Sequence, residues 1–478
     1  MGIKAKITAM PVEAKASAAY TACSVLQKGI AVATLPIFTR LLTTQQFGEA
    51  SIYSAWVAFF AILLSLNLPY GSLNAAMANF PEERDGYISS IEGIFITLSC
   101  LFLIIYLPFT DWWNSLLGMP TAMVLMMVAE VFGTACLQCW MSRNRYEYRY
   151  WSVVIVTLVM ALLSPLLSIG LVLLMDDKGF AKVAGNAAVM VAFGVAVGIL
   201  ALKKGGAVFN RRFWRYALSF NIPLLAYYLA QVAFNQSDRI IIGFLCGDSQ
   251  AGMYTVAYTL GMLLVFLADA VGASYVPWFY SKLGKGEERQ DRPVAMALSL
   301  ALTVLLMGVI ALAPELIFVF AGGDYAEAAY VVPPVALCVL LLFYARLFDR
   351  VLFYWRKRVA LVTGAVLAGV VNVVLNFMLI PVWGYLAAGW TTLASYMLFT
   401  CSDWLFARNA MKKNGHDERM WNMGGLVALA SGAFAGSVGL MLLYPWPLAR
   451  LVVVFALVLL CFAQQGRIRA LLAKIKER

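Results

Sequence analysis

Six charged side chains fall inside long apolar runs, and any chemistry of this sequence must begin with them. Lys28, Glu130 and Asp269 lie well within three separate runs, while Arg346, Asp349 and Arg350 share a fourth. A charge held in hydrocarbon is costly unless a partner or water meets it, so each is a candidate binding group. A lysine or arginine there can offset an anion, and a carboxyl can take up and release a proton or cation. Arg346 can reach Asp349 one helical turn away. That trio also stands close to Arg356-Lys357-Arg358, so snorkelling to headgroups explains it as well as a substrate role does. Glu92 and Asp403 lie near the ends of their runs and read as interfacial.

Other chemistries find little support. The eight cysteines are scattered, and only Cys136 and Cys139 stand one turn apart. With a single histidine, His416, the sequence offers no metal-ligand set. No Gly-rich phosphate loop ending in Gly-Lys-Ser/Thr is present, so this chain does not read as hydrolysing ATP, and no cofactor is expected. Asp176-Asp177 is too isolated to hold a metal–nucleotide complex. A net charge of +11 invites a nucleic-acid reading, but the composition explains it otherwise.

Of the 478 residues, 62% are hydrophobic and 13% charged, with a mean hydropathy of +0.81. Soluble domains carry roughly 25% charged residues, so this is the composition of an integral membrane protein. About 20 apolar residues cross a bilayer as a helix. Fourteen candidate spans follow: 18–39, 47–70, 88–108, 117–141, 152–175, 182–202, 216–236, 250–278, 293–313, 330–354, 358–380, 385–408, 423–444 and 446–463. The first 17 residues lack the pattern of a cleavable signal, so the first span is expected to stay. Arginine and lysine concentrate in alternate loops, including 142–151, 203–215 and 409–422. The segment 314–329 has acids and no Lys or Arg. The asymmetry fits both termini in the cytoplasm. No loop on the other side is long enough to fold as a catalytic domain.

Helix breakers mark special places. Asn67-Leu68-Pro69-Tyr70-Gly71 interrupts the second span, Asn221-Ile222-Pro223 the seventh and Pro277 the eighth. Membranes tolerate such breaks where neighbours or cavity water satisfy the freed backbone. A weak repeat relates the halves. Spans end at Arg40 and Arg239, an aliphatic pair follows, and a Gln-x-Gly step (Gln46 to Gly48, Gln250 to Gly252) opens the return helix. Chains divided this way suit transporters built from two related bundles.

Pro36-Ile37-Phe38-Thr39-Arg40-Leu41-Leu42-Thr43, followed by Phe47-Gly48, resembles the N-terminal signature of Wzx-type polysaccharide-transport flippases. Asn235-Gln236-Ser237-Asp238-Arg239-Ile240-Ile241-Ile242-Gly243, with Ala251-Gly252-Met253-Tyr254, resembles the mid-chain signature of that family. The family shares a superfamily (MOP) with multidrug MATE exporters and the lipid II flippase. The resemblance implies an all-α polytopic fold of about fourteen spans, with two six-helix lobes in a V and two C-terminal helices. The lobes would be 18–202 and 216–408, after a cytoplasmic 1–17 and joined by a linker at 203–215. A cytoplasmic loop at 409–422, spans at 423–463 and a basic cytoplasmic tail at 464–478 would follow. It further implies a bacterial inner-membrane location. The substrate would be a polyprenyl-pyrophosphate-linked oligosaccharide of O-antigen, capsule or exopolysaccharide type, handled beside a polysaccharide polymerase and chain-length regulator. Membrane lipids are the other expected contact. On that reading Lys28, Asn67, Arg346 and Arg350 are the substrate-contact candidates, and Glu130, Asp269 and Asp349 the ion-coupling candidates. A drug–cation antiporter of the same fold and a membrane glycan polymerase or glycosyltransferase stand as alternatives; nucleic acid is not an expected partner.

Overall fold

The computed structural model describes residues 12–287, 289, 291–417 and 420–456, which are helical with no strand among them. The helices are α1 (Val12–Leu41), α2 (Thr44–Ser65), α3 (Ser72–Asn79), α4 (Arg84–Tyr106), α5 (Thr110–Leu117), α6 (Thr121–Tyr146), α7 (Tyr150–Leu174), α8 (Lys178–Gly205), α9 (Arg211–Asn221) and α10 (Leu225–Cys246). They continue as α11 (Asp248–Gly261), α12 (Val265–Gly284), α13 (Asp291–Ala311), α14 (Ala313–Ala321), α15 (Val332–Tyr354), α16 (Arg358–Trp383), α17 (Leu386–Lys413) and α18 (Met423–Leu442). The chain forms two compact units, Met1–Phe244 and Leu245–Arg478.

Eleven of the described helical segments are long and apolar enough to cross a membrane. The protein is a multi-pass all-α membrane protein. The three remaining expected spans differ for local reasons. The eighth is divided by a 3-10 turn at Met262–Leu264, while the helix runs on through Pro277. The twelfth is α17, 28 residues long but diluted by Thr391, Thr392, Ser395, Ser402 and Asp403. The fourteenth, 446–463, continues beyond the described residues after an apolar helix at Pro447–Ala456.

Helix ends follow from local chemistry. Thr43 closes a capping box on α2: its hydroxyl accepts from the Gln46 amide at 3.2 Å, and the Gln46 side chain accepts from the Thr43 amide at 3.1 Å. The Gln-x-Gly step therefore starts a helix, as the repeat implies. Its counterpart, α11, follows Gly247 and has no side-chain cap.

Each unit is built around one helix. In the first, α6 has 61% of its apolar window buried, and its contacts with α2, α4 and α8 enclose Tyr53, Phe60, Phe102 and Met127. In the second, the segment Gly323–Tyr354 ending in α15 is 83% buried, the highest of the eleven. Its Phe343, Leu347 and Phe348 pack with Tyr275, Leu306 and Trp421. These two central helices carry Glu130 and the trio Arg346, Asp349 and Arg350. Charges on such helices must be met by protein or by a cavity.

The interrupted spans of the first unit meet each other. Leu66 and Asn67 adopt left-handed backbone, with φ of 49° and 53°, and end α2. Asn221, fully buried at the end of α9, bridges this break. Its side-chain amide donates to the Leu66 carbonyl at 2.9 Å, and its side-chain oxygen accepts from the Ser72 amide at 3.0 Å. A Cβ at position 71 would collide with the Asn221 side chain, which is why glycine stands there.

Candidate functional site

Close approach of α6 and α8 sets the first site. Gly194 lies against the backbone of Gly133, leaving no room for a Cβ at either position. That contact brings α8 near enough for Asn186 to reach Glu130. Glu130 is 4% exposed, and both its oxygens are satisfied: the Tyr53 hydroxyl donates to Oε2 at 2.7 Å and the Asn186 amide to Oε1 at 2.7 Å. Asn186 accepts from the Ser164 hydroxyl of α7 at 2.6 Å. One turn before Asn186, Lys182 places its ammonium 3.5 Å from the Phe47 ring centroid and 5.5 Å from that of Phe38. An ammonium over aromatic faces is held without a carboxylate.

Tyr53, Ser164, Lys182 and Asn186 line a cavity of about 530 Å³ inside the first unit. Gln27 and Thr34 of α1, Gln138 and Arg145 of α6 and Thr157 of α7 add polar groups to its wall. Among the described residues its charged lining consists of Lys182 and Arg145, with no Asp or Glu. Glu130 and Arg145 are fifteen residues apart on α6, about 22 Å along a helix, so the polar surface runs down much of the span. Such a cavity can hold an anion and offer hydroxyl and amide hydrogen bonds along its length.

The second unit gathers the other charges. Arg346 of α15 forms an ion pair with Asp269 of α12, across helices rather than chiefly along its own. Arg350, 7% exposed, lies over the Tyr275 ring at 4.3 Å, and the Tyr275 hydroxyl donates to the fully buried Asp291 of α13. Asp349 faces Asp403 of α17. Asp403 is fully buried, and among the described residues its carboxyl meets that of Asp349.

The positions named from sequence fall out as follows. Glu130 sits beneath the cavity wall. Lys28 is exposed on α1 beside Gln27, and the cavity lining passes through Gln27 and Ile30 rather than Lys28. Asn67 is at the α2 break, bonded to Tyr228. Asp269 and Arg346 pair, and Asp349 and Arg350 occupy neighbouring clusters. Arg40 is exposed at the end of α1, and Gly48, Asp238 and Gly252 are buried. Arg239 donates to the Asn235 carbonyl at 3.0 Å and to the Gln236 side chain at 2.7 Å. Glu92 and Asp403, read as interfacial, are enclosed by protein: they are 1% and 0% exposed. Lys182 and Asn186 escaped the sequence reading, and Arg145 entered it only as part of the basic segment 142–151. The signal for the first two was present in four-residue spacing: Ser164 and Ser168 on α7, Lys182 and Asn186 on α8. Cys136 and Cys139 are buried and free, and no cluster of metal-ligating side chains occurs among the described residues.

Known proteins share this arrangement of helices. The lipid II flippase MurJ in an inward closed conformation superposes with a TM-score of 0.69 at 11% identity, covering 94% of this chain and 99% of that one. A multidrug resistance MATE transporter of the MOP superfamily in an inward-facing conformation gives 0.55 at 14% identity, over 81% and 96%. A MOP superfamily transporter from Pyrococcus furiosus, described as having a binding pocket of reversed polarity, gives 0.56 at 12% identity, over 84% and 97%. At such identities the likeness is one of fold. No curated protein matches the sequence. The model of the polysaccharide biosynthesis protein family matches residues 14–283, more than half of the chain, and the protein belongs to that family.

Proposed function

We propose that this protein is a flippase, not an enzyme, which moves a polyprenyl-pyrophosphate-linked oligosaccharide across the bacterial inner membrane by alternating access. The O-antigen, capsule or exopolysaccharide repeat unit is the substrate class. The observation that carries this reading is the cavity of the first unit, whose charged lining is Lys182 and Arg145 and whose wall is otherwise rich in amides and hydroxyls. In a low-dielectric site a cation attracts a pyrophosphate far more strongly than in water. Gln27, Gln138, Ser164 and Asn186 suit sugar hydroxyls. Lys28, beside Gln27, and Asn67 are further substrate-contact candidates of the first unit, and Arg346 and Arg350 are those of the second. Glu130, Asp269 and Asp349 are the acids through which a proton or cation gradient drives the step. Both termini face the cytoplasm, with lobes at 18–202 and 216–408.

Binding of polyprenyl pyrophosphate to the purified protein tests this. Lys182→Met and Arg145→Gln should each weaken it about tenfold, near 1.4 kcal/mol. Tighter binding of a lipophilic drug cation than of the pyrophosphate would support the antiporter reading instead.

A further inference from the structure

A second cavity, of about 550 Å³, opens at one end of the second unit, between the turn that joins α15 to α16 and the last turns of α17. Arg356, Lys357, Arg358 and Lys413 line it, with the Asn409 amide and Thr363 hydroxyl among them. The four cations are exposed, and no carboxylate pairs with any of them among the described residues. Leu352, Phe406 and Val359 provide an apolar floor, and Val359 is 81% exposed.

We propose that this groove binds the headgroup of an anionic phospholipid. α15 and α16 belong to segments fit to span a membrane, so the turn between them lies where headgroups are. Exposed Phe353 and Tyr354 flank that turn, the aromatic composition expected at an interface. The turn itself is tightly built: Arg356 has a φ of 53°, and the Lys357 amide donates to the Leu352 carbonyl at 2.8 Å. The basic side chains are thus carried on a fixed backbone rather than a floppy loop. α16 begins at Arg358 with no side-chain cap, so its first amides add their positive end to the groove. Basic pockets between membrane helices are sites where lipid phosphates bind, and the apolar floor offers the start of an acyl chain a continuous path. A freely soluble phosphate would use the cations but leave Leu352, Phe406 and Val359 without a role.

A phosphatidylglycerol bearing a photoactivatable group near its headgroup tests the proposal on the full-length protein in detergent–lipid micelles. Cross-links should map to peptides 352–363 and 406–413, and excess unlabelled phosphatidylglycerol, not phosphatidylcholine, should suppress them. The triple variant Lys357→Gln, Arg358→Gln, Lys413→Gln should lower their yield on the order of tenfold or more. Its charge-keeping counterpart, Lys357→Arg, Arg358→Lys, Lys413→Arg, should cross-link like the wild type, which separates lost charge from a disturbed fold. Equal yields from the wild type and the glutamine variant, or equal competition by phosphatidylcholine, would overturn the proposal. So would complete suppression by inorganic phosphate alone, because the site would then read a soluble anion.

Discussion

Glu130 shows what the polar side chains of the first unit are for. Each of its oxygens accepts from one donor, and a glutamine can keep the same contacts, because Oε1 still accepts from Asn186 and the Tyr53 hydroxyl can turn to accept. Glu130→Gln is therefore expected to fold with a melting temperature near that of the wild type while export stops. Normal export across a range of external pH and sodium would remove Glu130 from the coupling step. Asp403 presents the opposite case, a buried acid beside another acid. Asp403→Asn gives Asp349 a donor that does not depend on a proton shared between two acids, so the melting temperature at alkaline pH should exceed that of the wild type; a lower one would mean the acid has a partner that the amide cannot serve. Glu130 was legible in the sequence because a lone acid in an apolar run stands out. Lys182 was not, since it sits at the first residue of an expected span, where lysines commonly reach the interface. Its depth depends on Phe38 and Phe47, which come from other helices.

The breaks in the spans were visible as Asn-Leu-Pro-Tyr-Gly and Asn-Ile-Pro, but their mutual docking was not. Asn221 lies 155 residues from Leu66, and only the folded chain makes it the clamp of the α2 break. Asn221→Ala leaves the Leu66 carbonyl and the Ser72 amide buried without those bonds, at about 1–3 kcal/mol for each group. Thermal unfolding in detergent should occur at a clearly lower temperature, and an unchanged midpoint would mean that water replaces the side chain. The eighth span shows the converse. Pro277 drew attention, yet the helix changes at Met262–Leu264, where no proline or polar residue announces it. Tertiary packing of that turn against α15 decides the matter, and local sequence does not record it.

For the whole molecule, hydropathy alone established a polytopic helical protein, because a bilayer admits few other structures for such a chain. The family follows from the match over residues 14–283 and the fold from MurJ and the MATE transporters. What composition could not reveal is the sign of the cavity, since much of the net charge of +11 sits in basic loops such as 142–151, 203–215 and 409–422. That sign is the basis for assigning an anionic, lipid-linked substrate to this molecule. The most direct test is translocation itself. Proteoliposomes holding the purified protein and a fluorescent polyprenyl-pyrophosphate oligosaccharide can be probed with an impermeant quencher or glycosidase. The expected result is leaflet exchange with the wild type that is largely lost in Lys182→Met. Exchange no faster than in protein-free vesicles, or an unimpaired Lys182→Met, would contradict the assignment.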